Sequence, residues 1–358
     1  MGREAVKALI ALLCCIVAGC VKDKPGTRAG VLPNASGNVY VVCEGSFSAG
    51  GATLYAYNTE KDSVYGDLYA LANGNQQWGD VFQSMQRIGD KLFLCINNSD
   101  KVIMLQADNW KLSGSISIPK PRYILPVSAT KAYVSTLYSN KLYIIDIQAC
   151  TVTGTIELPS MNPEGMCIYN NAAFVCTWDT AVNSIYKVDV TGDRVMQTIK
   201  VGGYGPQEAL LDKEQMMWVL SGNQRKNRQA ALTRIDPSNG NILTTYLFPA
   251  DADVLKPVFN KTKDTLYFIE VNYNGGITNN GVYRMAITDA DLPAEPFLQA
   301  QRYQYFWALG IDPQTNEIYV GDPKGFVQKG SVAVYNPAGV QLRSFNVGLG
   351  PGHFYFDK

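Results

Sequence analysis

Seven short runs recur along the chain, each an aromatic residue among small or β-branched neighbours: NVYVV from 38, KLFLC from 91, KAYVS from 131, AAFVC from 172, MMWVL from 216, TLYFI from 265 and EIYVG from 317. Their aromatic positions, Tyr40, Phe93, Tyr133, Phe174, Trp218, Tyr267 and Tyr319, lie 40 to 53 residues apart. A repeat of that length holds about four short strands. After each run comes a Gly- and Asn-rich loop and a second alternating run, such as TLYAYN, KVIMLQ, KLYIIDI or SIYKVDV. A third run follows in most units (SGSISI, TGTIEL, MQTIKV), and then a fourth (YILPVSA, GMCIYN, EALLD). Period-two alternation bounded by turn residues specifies strands. Four antiparallel strands in seven units predict an all-β, seven-bladed β-propeller. The repeat begins at the second strand of a unit and ends with HFYFD at 353–357, so the C-terminal strand is expected to close the ring. Length alone suggests two or three domains, but no linker or composition break divides residues 38–358, which read as one.

The N-terminus has a different character. MGREAVK precedes ALIALLCCIVAG, twelve uncharged residues ending in small ones, and then Cys20. As a helix this stretch rises ~18 Å, short of a ~30 Å hydrocarbon core, so it reads as an export signal rather than a membrane span. Val17-Ala18-Gly19-Cys20 resembles the lipobox of bacterial lipoproteins, which implies cleavage after residue 19 and acylation of Cys20. Residues 20–37, rich in Pro, Gly, Ser and Thr, read as a flexible tether. The remaining chain carries 29 basic and 30 acidic side chains, a balance that argues against nucleic acid as a partner. Cys43, Cys95 and Cys176 fall inside apolar runs and are expected as small buried hydrophobes. A disulfide between Cys167 and Cys176 is left open.

The pattern of residues 133–165, YV followed by LYIID, GTIEL and P-x-G, is echoed in FVCTW, SIYKVDV and QTIKVGGYGP. It resembles the YVTN or YncE-type propeller repeat over about nine tenths of the chain. That resemblance implies the fold and leaves the function open, since propellers serve as enzymes, scaffolds and binders.

Chemistry is sparse. His353 is the one histidine, so no His-rich metal site is expected, and it reads as structural or surface. No phosphate loop or dinucleotide fingerprint occurs. Scattered carboxylates do not single out a catalytic pair. The loops between second and third strands, and those linking one blade to the next, share the face at the mouth of the central channel. They carry aromatics interleaved with amides, the residue types of ligand sites. Candidate packing residues are Trp78, Tyr123, Tyr138, Trp178, Tyr204, Tyr273 and Phe326, and candidate hydrogen-bonding residues are Asn97, Asn98, Asn140, Gln207 and Asn274. Tyr303, Tyr305 and Phe306 are expected to cap the rim.

After Cys20, Val-Lys-Asp-Lys partly resembles the surface-export signal of Bacteroidota lipoproteins. A lipid-anchored propeller with an aromatic, amide-rich mouth is similar to the BtuG-type vitamin B12 capture lipoproteins. The resemblance implies a corrinoid (cobalamin) as transported ligand, an outer-membrane TonB-dependent transporter of the BtuB type as partner, a surface location, and no catalytic residue, metal or cofactor. Competing readings are a ferric siderophore or glycan as ligand, a protein scaffold, or a glycan- or lactone-acting enzyme. Arg122, Arg225, Lys226, Arg228, Arg302, Lys324 and Lys329 suit an anionic complex, but Asp80, Asp100, Glu164, Asp179, Glu208 and Glu270 offset them.

Overall fold

A computed structural model describes residues 24–34, 36–272 and 280–357. The recurring runs become the second strands of seven sheets arranged in a ring. From the channel outward, blade 2 is Phe82–Ile88, Lys91–Ile96, Lys101–Gln106 and Leu112–Ser117. Blade 3 is Pro121–Pro126, Lys131–Thr136, Lys141–Asp146 and Thr151–Glu157. Blades 4 to 7 repeat this order, with innermost strands Pro163–Tyr169, Pro206–Leu211, Asp253–Phe259 and Ala308–Ile311. Blade 1 closes the ring as predicted: the C-terminal strand Pro351–Asp357 pairs antiparallel with Asn38–Cys43, Phe354 opposite Val41.

The seven repeat aromatics are why the blades cohere. Each lies between adjacent sheets and none is more than 6 % exposed. Burying such a side chain contributes about 1.5–3 kcal/mol. Polar atoms among them find partners: the Trp218 indole N–H donates to Asp212 (2.9 Å), and the Tyr40 hydroxyl accepts from Trp110 (3.2 Å). On the face away from the mouth, the Asp that ends several third strands accepts backbone N–H bonds two or three residues on, as Asp146 does from Gln148 and Ala149 and Asp189 does from Thr191. These Asx turns reverse the chain into the fourth strand.

Part of the expected tether is structured. Gly26–Arg28 adds a fifth strand to blade 1, parallel to Ser63–Tyr65. The signal segment and Cys20 lie outside the described residues. Cys43, Cys95 and Cys176 are buried, and Cys167 and Cys176 are both free thiols.

Candidate functional site

The innermost strands enter the ring at the mouth, and in six blades their first turn is irregular. Pairing with the second strand skips Gln83, Arg122 and Tyr123, Glu164 and Gly165, Gln207, Lys256 and Pro257, and Gly352. Such bulges re-aim side chains at the end of a strand. Here they gather polar groups from all seven blades below the mouth: Glu44 and His353 from blade 1, Gln83, Arg122 with Tyr123, Glu164, Glu208, Lys256, and Trp307 from blade 7.

Hydrogen bonds run from blade to blade around this floor. The Arg122 guanidinium clamps Glu164, with Nε 2.8 Å from Oε2, and also donates to the Gln83 side-chain oxygen. Glu164 is only 4 % exposed. The Tyr123 hydroxyl accepts from Gln83 and donates to Glu208, both at 3.4 Å. Between the adjoining blades 7 and 1 the Trp307 indole N–H donates to Glu44 at 2.7 Å. Two glycines make room. A Cβ on Gly165 would come 2.8 Å from the Glu208 carboxylate, and one on Gly352 would come 2.1 Å from that of Glu44. In Pro163-Glu164-Gly165 the P-x-G glycine therefore reflects the close approach of the Gln207 carbonyl and the Glu208 carboxylate. Lys256 sits in a bulge at φ 56°, a left-handed conformation that costs of order 1–3 kcal/mol in a residue with a Cβ and that clusters at functional positions.

The electrostatics follow from burial. Desolvation works against the Arg122 charge, but Glu164 outweighs it and the guanidinium is held charged. Burial, then Glu208 and Glu164, push the Tyr123 phenol far up, leaving it a neutral donor. Burial raises Glu44, against Lys256 and the Trp307 hydrogen bond. Burial raises Glu208 to about 7, opposed by Lys256 and aided by Glu164. Burial, with Lys256 adding to it, lowers His353 to about 3, so its imidazole is neutral at physiological pH.

These shifts have opposite signs for stability. Glu208 keeps in the folded state a proton that the unfolded chain releases near 4.5, so its contribution is full below that pH and is lost as pH rises through about 7. Glu270 behaves alike, since burial and then Asp251 raise it to about 7. His353 contributes stability above 6.5 that is lost as pH falls through about 3. Glu208→Gln is accordingly expected to gain on the wild type between pH 5 and pH 8, read from urea midpoints at each pH. A constant difference between the two proteins would show that Glu208 is solvated in the channel.

The rim above is partly aromatic. Tyr138 is 74 % exposed, Tyr204 is exposed with the Arg228 guanidinium 4.6 Å from its ring centre, and Tyr303, Phe47 and Val327 are also exposed. Trp178 is half-buried, and its indole N–H and the Gln207 amide both donate to the Gly222 carbonyl, at 3.2 and 3.4 Å. Phe326, half-buried, packs edge-on against Trp307 with centroids 5.4 Å apart. The opposite end of the channel holds a 410 Å³ cavity lined by apolar residues such as Met166, Cys167, Leu210, Phe259 and Ile311 together with Asn260, Lys261 and Lys263.

Several sequence expectations need correction. Trp78 is core: it is 1 % exposed, stacked on Tyr69 at 4.4 Å, and its N–H donates to the Ala52 carbonyl. Asn97 is buried and braces the loop before blade 3 through the Pro121 carbonyl. Asn140 and Asn98 remain half-buried and also brace loop structure, through the Leu158 carbonyl and Asp80 respectively. Tyr303 is 82 % exposed and caps nothing, whereas Phe306 is buried. His353 lines the channel. Tyr273 and Asn274 lie outside the described residues. Sequence reasoning did not single out Glu44, Gln83, Lys256 or Trp307. The only signal for their set was the recurring Pro and Gly at the start of the fourth run.

Fold and site together define a seven-bladed β-propeller with a polar channel floor beneath a partly aromatic mouth. Residues 37–357 match DUF5074, a domain of unknown function, and the chain belongs to that family. No curated protein matches it. Among solved structures it is similar to a quinoprotein alcohol dehydrogenase-like protein from Bacteroides thetaiotaomicron, at 16 % identity and TM-score 0.69, covering 91 % of this chain and 79 % of that one. It is similar also to hydrazine synthase from Kuenenia stuttgartiensis, at 16 % identity and TM-score 0.55, covering 70 % and 74 %. The computationally designed Ika8 protein aligns at 9 % identity and TM-score 0.59, covering 94 % and 95 %. At these identities the likeness is one of fold.

Proposed function

We propose that the protein is a cell-surface binding lipoprotein, anchored in the outer membrane through an acylated Cys20. In this reading it captures a corrinoid at the mouth of the propeller and passes it to a TonB-dependent transporter. The observation that carries the reading is the convergence of polar groups from all seven blades beneath Tyr138, Trp178, Tyr204 and Phe326. A corrinoid is broad, rimmed with amides and flat on its apolar faces. Gln83, Tyr123, Glu208 and neutral His353 offer donors and acceptors to the amides, and the aromatic rim offers stacking surface. Burying roughly 400 Å² of apolar area contributes about 10 kcal/mol before ordering costs.

Calorimetric titration of the mature chain with cyanocobalamin tests this. Saturable 1:1 binding is expected, weakened about 100-fold or more in Trp178→Ala/Tyr204→Ala. Silence at micromolar protein removes the ligand, and undiminished binding by the double variant removes the site. A ferric siderophore or a glycan that binds instead would keep the site and change its ligand.

One observation favours an enzyme as the second reading. Glu208, which titrates near neutrality, stands close to Glu164 in its Arg122 clamp, an arrangement suited to general acid-base chemistry on a glycan or lactone. Turnover of a polysaccharide or lactone panel that disappears in Glu208→Gln would favour it over capture.

A further inference from the structure

The strand Gly26–Arg28 runs parallel to Ser63–Tyr65, with Gly26 opposite Ser63 and Arg28 opposite Tyr65. The outermost strand of a blade must end at the mouth, because its exit feeds the innermost strand of the next blade. A parallel neighbour runs the same way, so Gly26 lies at the far face. There its N–H donates to the Asp62 carbonyl at 3.0 Å, in the turn between third and fourth strands, and Pro25 beside it is buried. We infer that this strand is a clasp that sets the direction of the molecule on its membrane: the face opposite the mouth lies against the lipid surface and the mouth opens away from it. The inference rests on the acylation of Cys20 proposed above.

Reach decides the matter. Residues 20–24 span at most about 17 Å when fully extended. The blades are about 20 Å of strand, with loops added on both faces. An anchor leaving the far face on so short a lead cannot lay the mouth on the same bilayer. The two faces differ in character as well. The far face presents exposed Lys61, Asp62, Lys213, Glu214, Lys261 and Lys263, groups that sit among headgroups without losing water. The three strand residues are exposed, and the segment is held at its flanks by buried Pro25 and Pro33 and by Leu32 packed against the core, so opening the clasp gives up those contacts. Once it is released, residues 20–37 become one lead of up to about 60 Å, long enough for the ring to turn over. Capture then belongs to the clasped state, and transfer to a channel in the same membrane belongs to the open one.

The test uses the acylated full-length chain in phosphatidylethanolamine–phosphatidylglycerol vesicles that carry a headgroup energy acceptor. A donor dye is attached at Lys263→Cys or at Tyr303→Cys, in a Cys150→Ser/Cys167→Ser background. Transfer at least twofold more efficient from position 263 is expected. Gly26→Pro, which removes the N–H bonded to Asp62, is expected to narrow that gap. Equal or reversed efficiencies with Cys20 acylated overturn the clasp. Absence of a metabolic acyl label that Cys20→Ala would otherwise remove overturns the anchor instead. Neither result bears on which ligand the mouth takes.

Discussion

Arg122→Ala is expected to lower stability by about 3–5 kcal/mol, because it leaves a buried carboxylate with no countercharge. Glu164, 5 % exposed at its side chain, would lose its salt bridge, and Gln83 would lose a donor from the same guanidinium. Urea denaturation at neutral pH measures the loss. The cause is separable from lost packing: Arg122→Met/Glu164→Gln removes both charges and keeps the volume, and is expected to recover most of the difference. If the double variant is as unstable as Arg122→Ala, the packing of the long side chain outweighs the ion pair. The same pair is a test of the site. With the clamp gone, the side chain at position 164 is no longer fixed beside Glu208, so a ligand held by the floor should bind more weakly to the double variant even where the fold is restored.

Removing residues 351–358 is expected to abolish cooperative unfolding and to move the protein from a discrete species into aggregates on size-exclusion chromatography. The closing strand supplies the innermost strand of blade 1, and its loss exposes the ladder edge of Asn38–Cys43. It also removes Phe354 and Phe356 from contact with Tyr319 of blade 7, whose ring centres lie 5.8 and 5.3 Å away, and takes away the ion pair between Asp357 and Arg87 of blade 2. Phe354→Ala, which keeps the strand, is expected to cost about 3–5 kcal/mol while leaving a cooperative transition. A truncated chain that still melted cooperatively would mean that the other six blades hold the ring without closure.

Most of the fold was legible because a propeller repeats its instructions. The aromatic in each second strand, the alternation around it and the Asp ending the third strand recur often enough for seven units to be counted. The unpaired final run, HFYFD, gave the closure. The floor was not legible in the same way. Period-two alternation says which residues share a face only while pairing is regular, and it fails at the bulges that skip Gln83, Arg122, Glu164, Gln207, Lys256 and Gly352. Trp78 and Asn97 misled for a related reason. Both lie in loop segments whose composition suits a ligand site, but a loop residue's exposure depends on what packs over it, and here Tyr69, Phe82 and the Ala52 and Pro121 carbonyls do.

By itself the sequence determined the repeat, the number of blades and the order of strands, since these follow from local periodicity and turn chemistry. The tertiary structure alone decided which polar side chains meet. Glu44, Arg122, Glu208, Lys256 and His353 are up to about 300 residues apart and become neighbours only when the ring closes. The raised Glu44 and Glu208 and the lowered His353 share one origin: desolvation in a channel whose walls come from every blade and which no single repeat encloses.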